Sequence, residues 1–336
     1  MRRSRRRGRP YDLPMGVDGA AVTSAEAAQY RAAGWWSDTT LSARVAQNAA
    51  STPDKPAYID FAPDAPDHTL TWVEFDHAAT NLAHRLIALG VTPGDGVAFW
   101  HKDSAAIHVL LIAIERCGGV AVGLGARAGV REVTAILRTA RPTLVVSDAE
   151  RLAPAAQAAS DADSNLRAAA LGGGSDDLPI ITTSPPEGMN GLTPLGADDA
   201  FLINSTSGTT GLPKCVVHNQ NRWHYFHTKA VANGDLTADD VFLPVIPTPF
   251  GFGIWTSHTT PIHLGATTVR IERFDAAATC AAIARHRATV LCWWSQRQNA
   301  SYGPVTDPST SDRFPGTGDR SPCSNSGKTH PSACSN

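Results

Sequence analysis

Ala200-Phe201-Leu202-Ile203, then Ser205-Thr206-Ser207-Gly208-Thr209-Thr210-Gly211-Leu212-Pro213-Lys214, then Cys215-Val216-Val217-His218 read as strand, hydroxyl-rich loop and strand. Short apolar runs bounded by turn residues are strand signals, so the loop is expected to be pinned at both ends. A phosphate group needs converging hydrogen-bond donors, a backbone that can approach closely, and a cation to offset its charge. Gly208 and Gly211 permit the close approach, Thr206, Ser207, Thr209 and Thr210 add hydroxyl donors, and Lys214 adds a flexible ammonium. Pro213 stiffens the exit and is expected to hold Lys214 near the loop mouth. The order Gly-Thr-Thr-Gly-Leu-Pro-Lys-Cys fails the Walker spacing, and Gly327-Lys328-Thr329 lacks the upstream glycine that the same motif requires. A plain polar hairpin turn is the competing reading, because Ser, Thr and Gly also make turns.

Outward from the loop, strands and helices alternate. Thr71 with Glu74 has capping-box spacing, followed by Phe75, Ala78, Ala79, Leu82 and Leu86 at helical period and a stop at Gly90. The spacing next predicts a strand at Val97 to Trp100, a helix from about Ser104 to Cys117, a strand at Val120 to Leu124, a helix at Val130 to Thr139 and a strand at Thr143 to Val146. Beyond the loop come a strand at Val241 to Val245, a helix around Trp255 to His263, a strand at Thr267 to Ile271, a helix at Asp275 to His286 and a strand at Thr289 to Cys292. This alternation implies an α/β fold of mostly parallel sheets with helices on both faces. No Gly-x-Gly-x-x-Gly opens the first helix, so a dinucleotide site there is not supported.

Three stretches break the pattern. Residues 1–37 begin with Arg2, Arg3, Arg5, Arg6, Arg7 and Arg9 and read as a basic, flexible segment; Pro10, Asp12 and Pro14 spoil a targeting helix. Residues 153–199 turn to Ala, Gly, Ser, Asp and Pro and read as a loose connection, interrupted by Pro179-Ile180-Ile181-Thr182. Residues 293–336 contain no leucine, isoleucine or methionine and read as a disordered tail.

The composition of the 336-residue chain, 42% hydrophobic and 18% charged with a formal charge of -2, fits a soluble protein with a large core. It gives no general pull toward nucleic acid, no apolar run long enough for a membrane span, and a cytoplasmic location as the expectation. The six cysteines form no Cys-x-x-Cys pair and read as free thiols. His218, His224 and His227 are the nearest approach to a metal cluster, but no His-Glu-x-x-His pattern supports them, so no metal ligands are assigned.

The loop resembles the signature of the AMP-binding superfamily of acyl-CoA synthetases, luciferases and peptide-synthetase adenylation domains, aromatic-Thr-Ser-Gly-Ser/Thr-Thr-Gly-x-Pro-Lys. Ser205 stands where the aromatic is usual and Cys215 where glycine is frequent. Leu70-Thr71-Trp72-Val73-Glu74-Phe75, Gly90-Val91-Thr92-Pro93-Gly94-Asp95 and Val241 through Phe274 are similar to the same family in the same order, so the resemblance spans residues 38–292. Within the last stretch, Pro247-Thr248-Pro249-Phe250-Gly251-Phe252-Gly253 is similar to the Pro-x-x-His/aromatic-x-x-Gly segment. That likeness implies that Phe250 borders the acyl and adenylate site and that Phe252 lines the substrate pocket; ordinary core packing is the alternative for both.

The resemblance further implies an ATP-dependent carboxylate–CoA ligase that uses ATP with Mg2+, takes CoA as co-substrate and has a small carboxylic acid as partner. Thr206, Ser207, Gly208, Thr209, Thr210, Gly211 and Lys214 would be the ATP-phosphate contacts, Thr206 and Lys214 acting electrostatically in catalysis. The alternatives are a carrier-loading adenylation domain and a catalytically dead nucleotide-binding fragment. Family members also carry downstream Tyr-Gly-x-Thr-Glu and Thr-Gly-Asp motifs; Tyr302-Gly303 and Thr317-Gly318-Asp319 are read as chance likenesses. The expectation is therefore the N-terminal part of the family's large domain, ending near Cys292, in a chain whose activity alone is impaired or absent.

Overall fold

The structure, a computed structural model, describes residues 17–19, 22–172, 191–206 and 214–292. In chain order the first half contains β1 (Val17–Gly19), α1 (Ser24–Ala32), α2 (Leu41–Ser51), β2 (Pro56–Asp60), β3 (His68–Thr71), α3 (Trp72–Ala88), β4 (Gly96–Trp100), α4 (Ala105–Arg116), β5 (Val120–Gly123), α5 (Val130–Ala140), β6 (Leu144–Ser147), α6 (Leu152–Ala162) and β7 (Arg167–Ala170). The second half contains β8 (Ala200–Thr206), β9 (Lys214–Asn219), α7 (Gln220–Gly234), β10 (Val241–Pro244), α8 (Gly251–Ile254), α9 (Thr260–Leu264), β11 (Thr267–Arg270), α10 (Ala276–His286) and β12 (Val290–Cys292).

The strands form a seven-stranded sheet, β1-β9-β8-β5-β4-β6-β7, and a five-stranded sheet, β12-β10-β11-β2-β3. In the larger sheet β4 to β8 run parallel and only the β8–β9 pair is antiparallel. The layers follow from where each sequence can hide apolar surface. Helix α4, Ala-Ala-Ile-His-Val-Leu-Leu-Ile-Ala-Ile-Glu-Arg, is buried on every side: its apolar run needs cover all round, and Arg116 at its end is paired with Ser42, Thr80 and Asp76. With α2 and α3 it forms one core with residues of both sheets, including Val97 and Phe201 from the larger and Tyr58 and Leu70 from the smaller. Alanines and branched residues of α5 and α6 cover the opposite face of the larger sheet, and α10 covers the smaller.

Local signals account for several boundaries. Thr71 and Glu74 exchange the two bonds of a capping box at the start of α3, at 3.4 and 2.8 Å. After α4, Gly118 takes a positive φ of 76°, and a Cβ there would meet the Thr193 carbonyl oxygen at 2.7 Å. Only glycine fits this close approach.

Three expectations need correction or addition. The stretch read as a loose connection contains α6 and β7: Ala155, Ala158 and Ala159 recur on one helical face and pack closely, an apolar stripe too small to stand out by side-chain size. Residues 173–190, with Pro179-Ile180-Ile181-Thr182, lie outside the described residues, as do 1–16 and 293–336. In the basic N-terminal stretch, Val17–Gly19 pairs with β9 and α1 is capped by a Thr23–Glu26 box. The helix expected from Trp255 begins at Gly251 and widens into a π-helical turn, Trp255–Thr259, before α9. Helices α2 and α7 and strands β2 and β3 lie in segments to which no element was assigned from sequence.

Candidate functional site

Strand β8 carries the chain to the loop and β9 carries it away, with Thr206 and Lys214 as Cα partners at the mouth. The antiparallel register continues through Ser205 and Cys215, Asn204 and Val216, and Ile203 and Val217. Ser207, Gly208, Thr209, Thr210 and Gly211 lie outside the described residues, so the structure positions the two ends of the loop and not its donors. Cys215 is wholly buried, and burial pushes its thiol up to about 11. Lys214, one residue earlier, is exposed, and its ammonium has no hydrogen bond or ion pair among the described residues. The mouth opens where β8 and its parallel neighbour β5 end, Gly123 pairing with Asn204. The carboxyl ends of parallel strands are the usual ligand crevice of an open α/β sheet.

The second sequence-predicted piece reaches the same place. A Cβ on Gly123 would lie 3.1 Å from the Pro249 side chain, and one on Gly125 would lie 3.4 Å from the Phe250 ring. Asn204, two positions before Thr206, donates to the Pro249 carbonyl at 3.4 Å. Its own Oδ1 accepts from His218 Nε2 at 2.8 Å. Burial, with a smaller contribution from Arg222, pushes His218 down to about 4, so the ring is neutral at physiological pH. Asn204 thus ties the loop hairpin to the 247–253 segment. The sequence signal for it is a lone amide at the end of the apolar run 200–203, too common to single out unaided.

Phe250 is 44% exposed at this junction, which disfavours ordinary core packing for its ring. Phe252 is half-buried and lines an apolar cavity of about 210 Å³ with Ala230, Leu236, Trp255, Thr256 and Cys292. Aromatic contacts run from one region to the other. His218 meets Trp223 at 5.2 Å, Trp223 meets Phe226 at 6.1 Å, Phe226 meets Trp255 at 5.8 Å and Trp255 meets Phe252 edge-on at 5.2 Å. His224 and His227 turn elsewhere, meeting His263 of α9 at 5.1 and 4.7 Å between ring centres. Among the described residues no group of three His, Cys, Asp or Glu side chains could hold a metal ion.

The 247–253 segment is held from both sheets. Asp103, just after β4, accepts from the Thr248 amide at 3.1 Å and from its hydroxyl at 2.5 Å. Arg270 at the end of β11 pairs with Asp103 and donates to Thr248 Oγ1 at 3.4 Å and to the Pro244 carbonyl at 3.3 Å. On β2, beside Arg270 in register, Asp60 accepts from the Ala105 amide at 2.9 Å; burial raises its carboxyl to about 6 against the lowering effects of that bond and of Arg270. Asp60, Asp103 and Arg270 were not singled out from sequence, because their roles depend on contacts between distant segments.

The model of the AMP-binding enzyme family matches residues 45–295. The chain is 31% identical over 302 residues to the salicyl-AMP ligase / salicyl-S-ArCP synthetase of Mycobacterium tuberculosis, covering 83% of this chain and 52% of that protein. It is 27% identical over 282 residues to the medium-chain fatty-acid–CoA ligase of Escherichia coli, covering 79% and 48%. Among solved structures, apo MbtA of Mycobacterium smegmatis matches with a TM-score of 0.70 and 26% identity, covering 81% of this chain and 51% of that one. The chain spans about half the length of the curated relatives it matches.

Proposed function

The chain belongs to the AMP-binding enzyme family, and on that premise we propose that it carries the ATP-phosphate and acid-binding side of an ATP-dependent carboxylate–CoA ligase. The observation that carries this reading is the Asn204–Pro249 bond, which joins the strand entering the loop to the segment bearing Phe250. In this reading Thr206, Ser207, Gly208, Thr209, Thr210, Gly211 and Lys214 hold the β- and γ-phosphates and their Mg2+. Phe250 borders the reacting carboxylate and Phe252 the acyl group. The exposed ammonium of Lys214 at the hairpin mouth, without a polar partner among the described residues, fits an anionic ligand.

ATP supplies an α-phosphate that a carboxylate attacks with loss of pyrophosphate. The chain's own part is electrostatic: Lys214 and the loop donors meet charge developing on the departing phosphates, and the closely tied 247–253 segment orients the acid. No side chain forms a covalent bond. The apolar cavity favours an acid with an apolar body.

A carrier protein in place of CoA is the second reading, favoured by the likeness to the salicyl-AMP ligase / salicyl-S-ArCP synthetase. Acid-dependent exchange of pyrophosphate into ATP tests the shared first step, and mass spectrometry of the thioester formed with CoA or a carrier separates the two readings. Measurable ATP binding with no exchange for any aryl or aliphatic acid would leave only a nucleotide-binding role.

A further inference from the structure

We propose that Asp103 and Arg270 are positioning residues: through Thr248 they hold the 247–253 segment in register with the mouth of the loop hairpin. The proposal rests on the reading above that Phe250 and Phe252 border the acid.

The pair is buried, and the stability of the core does not by itself call for two charges there. Arg270 is 1% exposed and closes a strand whose four residues are all buried, while Asp103 is 8% exposed. Replacing a buried ion pair by well-packed apolar residues is often neutral or stabilising, so burial of these charges by itself explains little. What the pair supplies is direction. Asp103 follows a strand of the seven-stranded sheet and Arg270 ends one of the five-stranded sheet, and both bond to Thr248, itself wholly buried. The planar guanidinium sends one nitrogen to the Pro244 carbonyl and another to Asp103 and Thr248, a fork that an ammonium cannot reproduce.

The far end of the segment is locked as well. Ser257 donates to the Gly253 carbonyl at 2.7 Å, and the Ser257 carbonyl accepts from Tyr58 at 3.1 Å. Between these anchors lie Pro249, against Gly123 and Asn204, and Phe250, against Gly125. Loosening Thr248 therefore frees the segment to shift relative to the loop, and misplacement by about 1 Å can lower turnover by about 100-fold.

The test uses the full chain with Thr248→Val, which keeps shape and amide but removes the hydroxyl, and Thr248→Ser, which restores it. A paired Asp103→Asn, Arg270→Met variant avoids leaving one charge buried alone. Amide hydrogen exchange is read at Phe250, which donates to the Pro247 carbonyl, and at Ile254, which donates to the Phe250 carbonyl, with Ile136 and Leu137 of α5 as controls. The expected result is at least tenfold faster exchange at Phe250 and Ile254 in Thr248→Val and the paired variant, with α5 unchanged and Thr248→Ser restored. In pyrophosphate exchange the KM for the acid should rise about tenfold while that for ATP stays within twofold. Unchanged amides at Phe250 and Ile254, or equal acceleration in α5, overturns the positioning role. A wild-type chain with no acid-dependent exchange would sink the ligase reading, and the amide measurement would still decide the positioning.

Discussion

The mouth of the loop hairpin and the 247–253 segment meet at Asn204, yet they are built in opposite ways. At the mouth, Lys214 is exposed and has no polar partner among the described residues. In the segment, Thr248 is bonded to residues from both sheets, and Gly253 packs directly on the Pro247 carbonyl. The difference separates two requirements. On the proposed function, a group that meets a charged ligand must stay uncommitted until the ligand arrives, whereas the wall that would orient the acid must be committed beforehand. Stability and activity should therefore respond in opposite proportion to changes in the two regions.

Gly253→Ala should give the largest effect. Alanine is favoured over glycine in a helix by about 1 kcal/mol, but a Cβ here would overlap the Pro247 oxygen and lie 2.7 Å from its carbon. Neither backbone atom can rotate away, so overpacking wins and urea unfolding should show a net loss of about 3 kcal/mol. A stability equal to or above wild type would mean that the segment is not rigidly packed.

Lys214→Met should do the reverse. Loss of one preorganised electrostatic group is expected to lower pyrophosphate exchange on the order of 100-fold, about 2.7 kcal/mol in the transition state. The midpoint of urea unfolding should barely move, since an exposed substitution costs within about 0.5 kcal/mol. Unaltered exchange would remove Lys214 from the catalytic assignment.

Asp60→Asn sharpens the committed side through pH. Burial raises the Asp60 carboxyl from 3.8 to about 6 in the folded chain. Between those values the unfolded chain releases its proton while the folded chain keeps it, so the wild type loses stability as pH rises through this window. The asparagine variant lacks this loss. Relative to wild type it should gain about 2 kcal/mol between pH 4 and 7, measured by urea unfolding at a series of pH values. A difference independent of pH would show that Asp60 titrates as it does in the unfolded chain.

Much of this architecture is legible from the sequence, for reasons particular residues make plain. The Thr71–Glu74 box is local, and the helix it starts is where the spacing predicts. The strands of the α/β alternation include short apolar runs buried on both faces, such as Leu144, Val145 and Val146 in β6. The alanine-faced α6 does not stand out because its stripe has no large side chain, nor does α7, whose polar Gln220 and Asn221 are buried by accepting from the amides of Leu41 and Ser37.

The candidate site divides along the same line. Lys214 and the loop hydroxyls stand out as candidates because glycine, hydroxyl and lysine fall within a few consecutive positions, the pattern a phosphate contact would need. Asn204, Asp103 and Arg270 are not, because an amide, a carboxylate and a guanidinium separated by many residues have no shared pattern until the chain is folded.

The α/β class and the order of the segments are thus written in neighbouring residues, as is the glycine, hydroxyl and lysine pattern on which the proposed phosphate contact rests. Folding is what brings the Phe250 ring beside Gly125, just after β5, bonds Asn204 of β8 to the neighbouring Pro249 carbonyl, and gathers Asp103 and Arg270 at Thr248. The physical reason is range: backbone periodicity and turn chemistry act over a few residues, whereas burial of a charge requires partners that only the packing of two sheets brings within hydrogen-bonding distance.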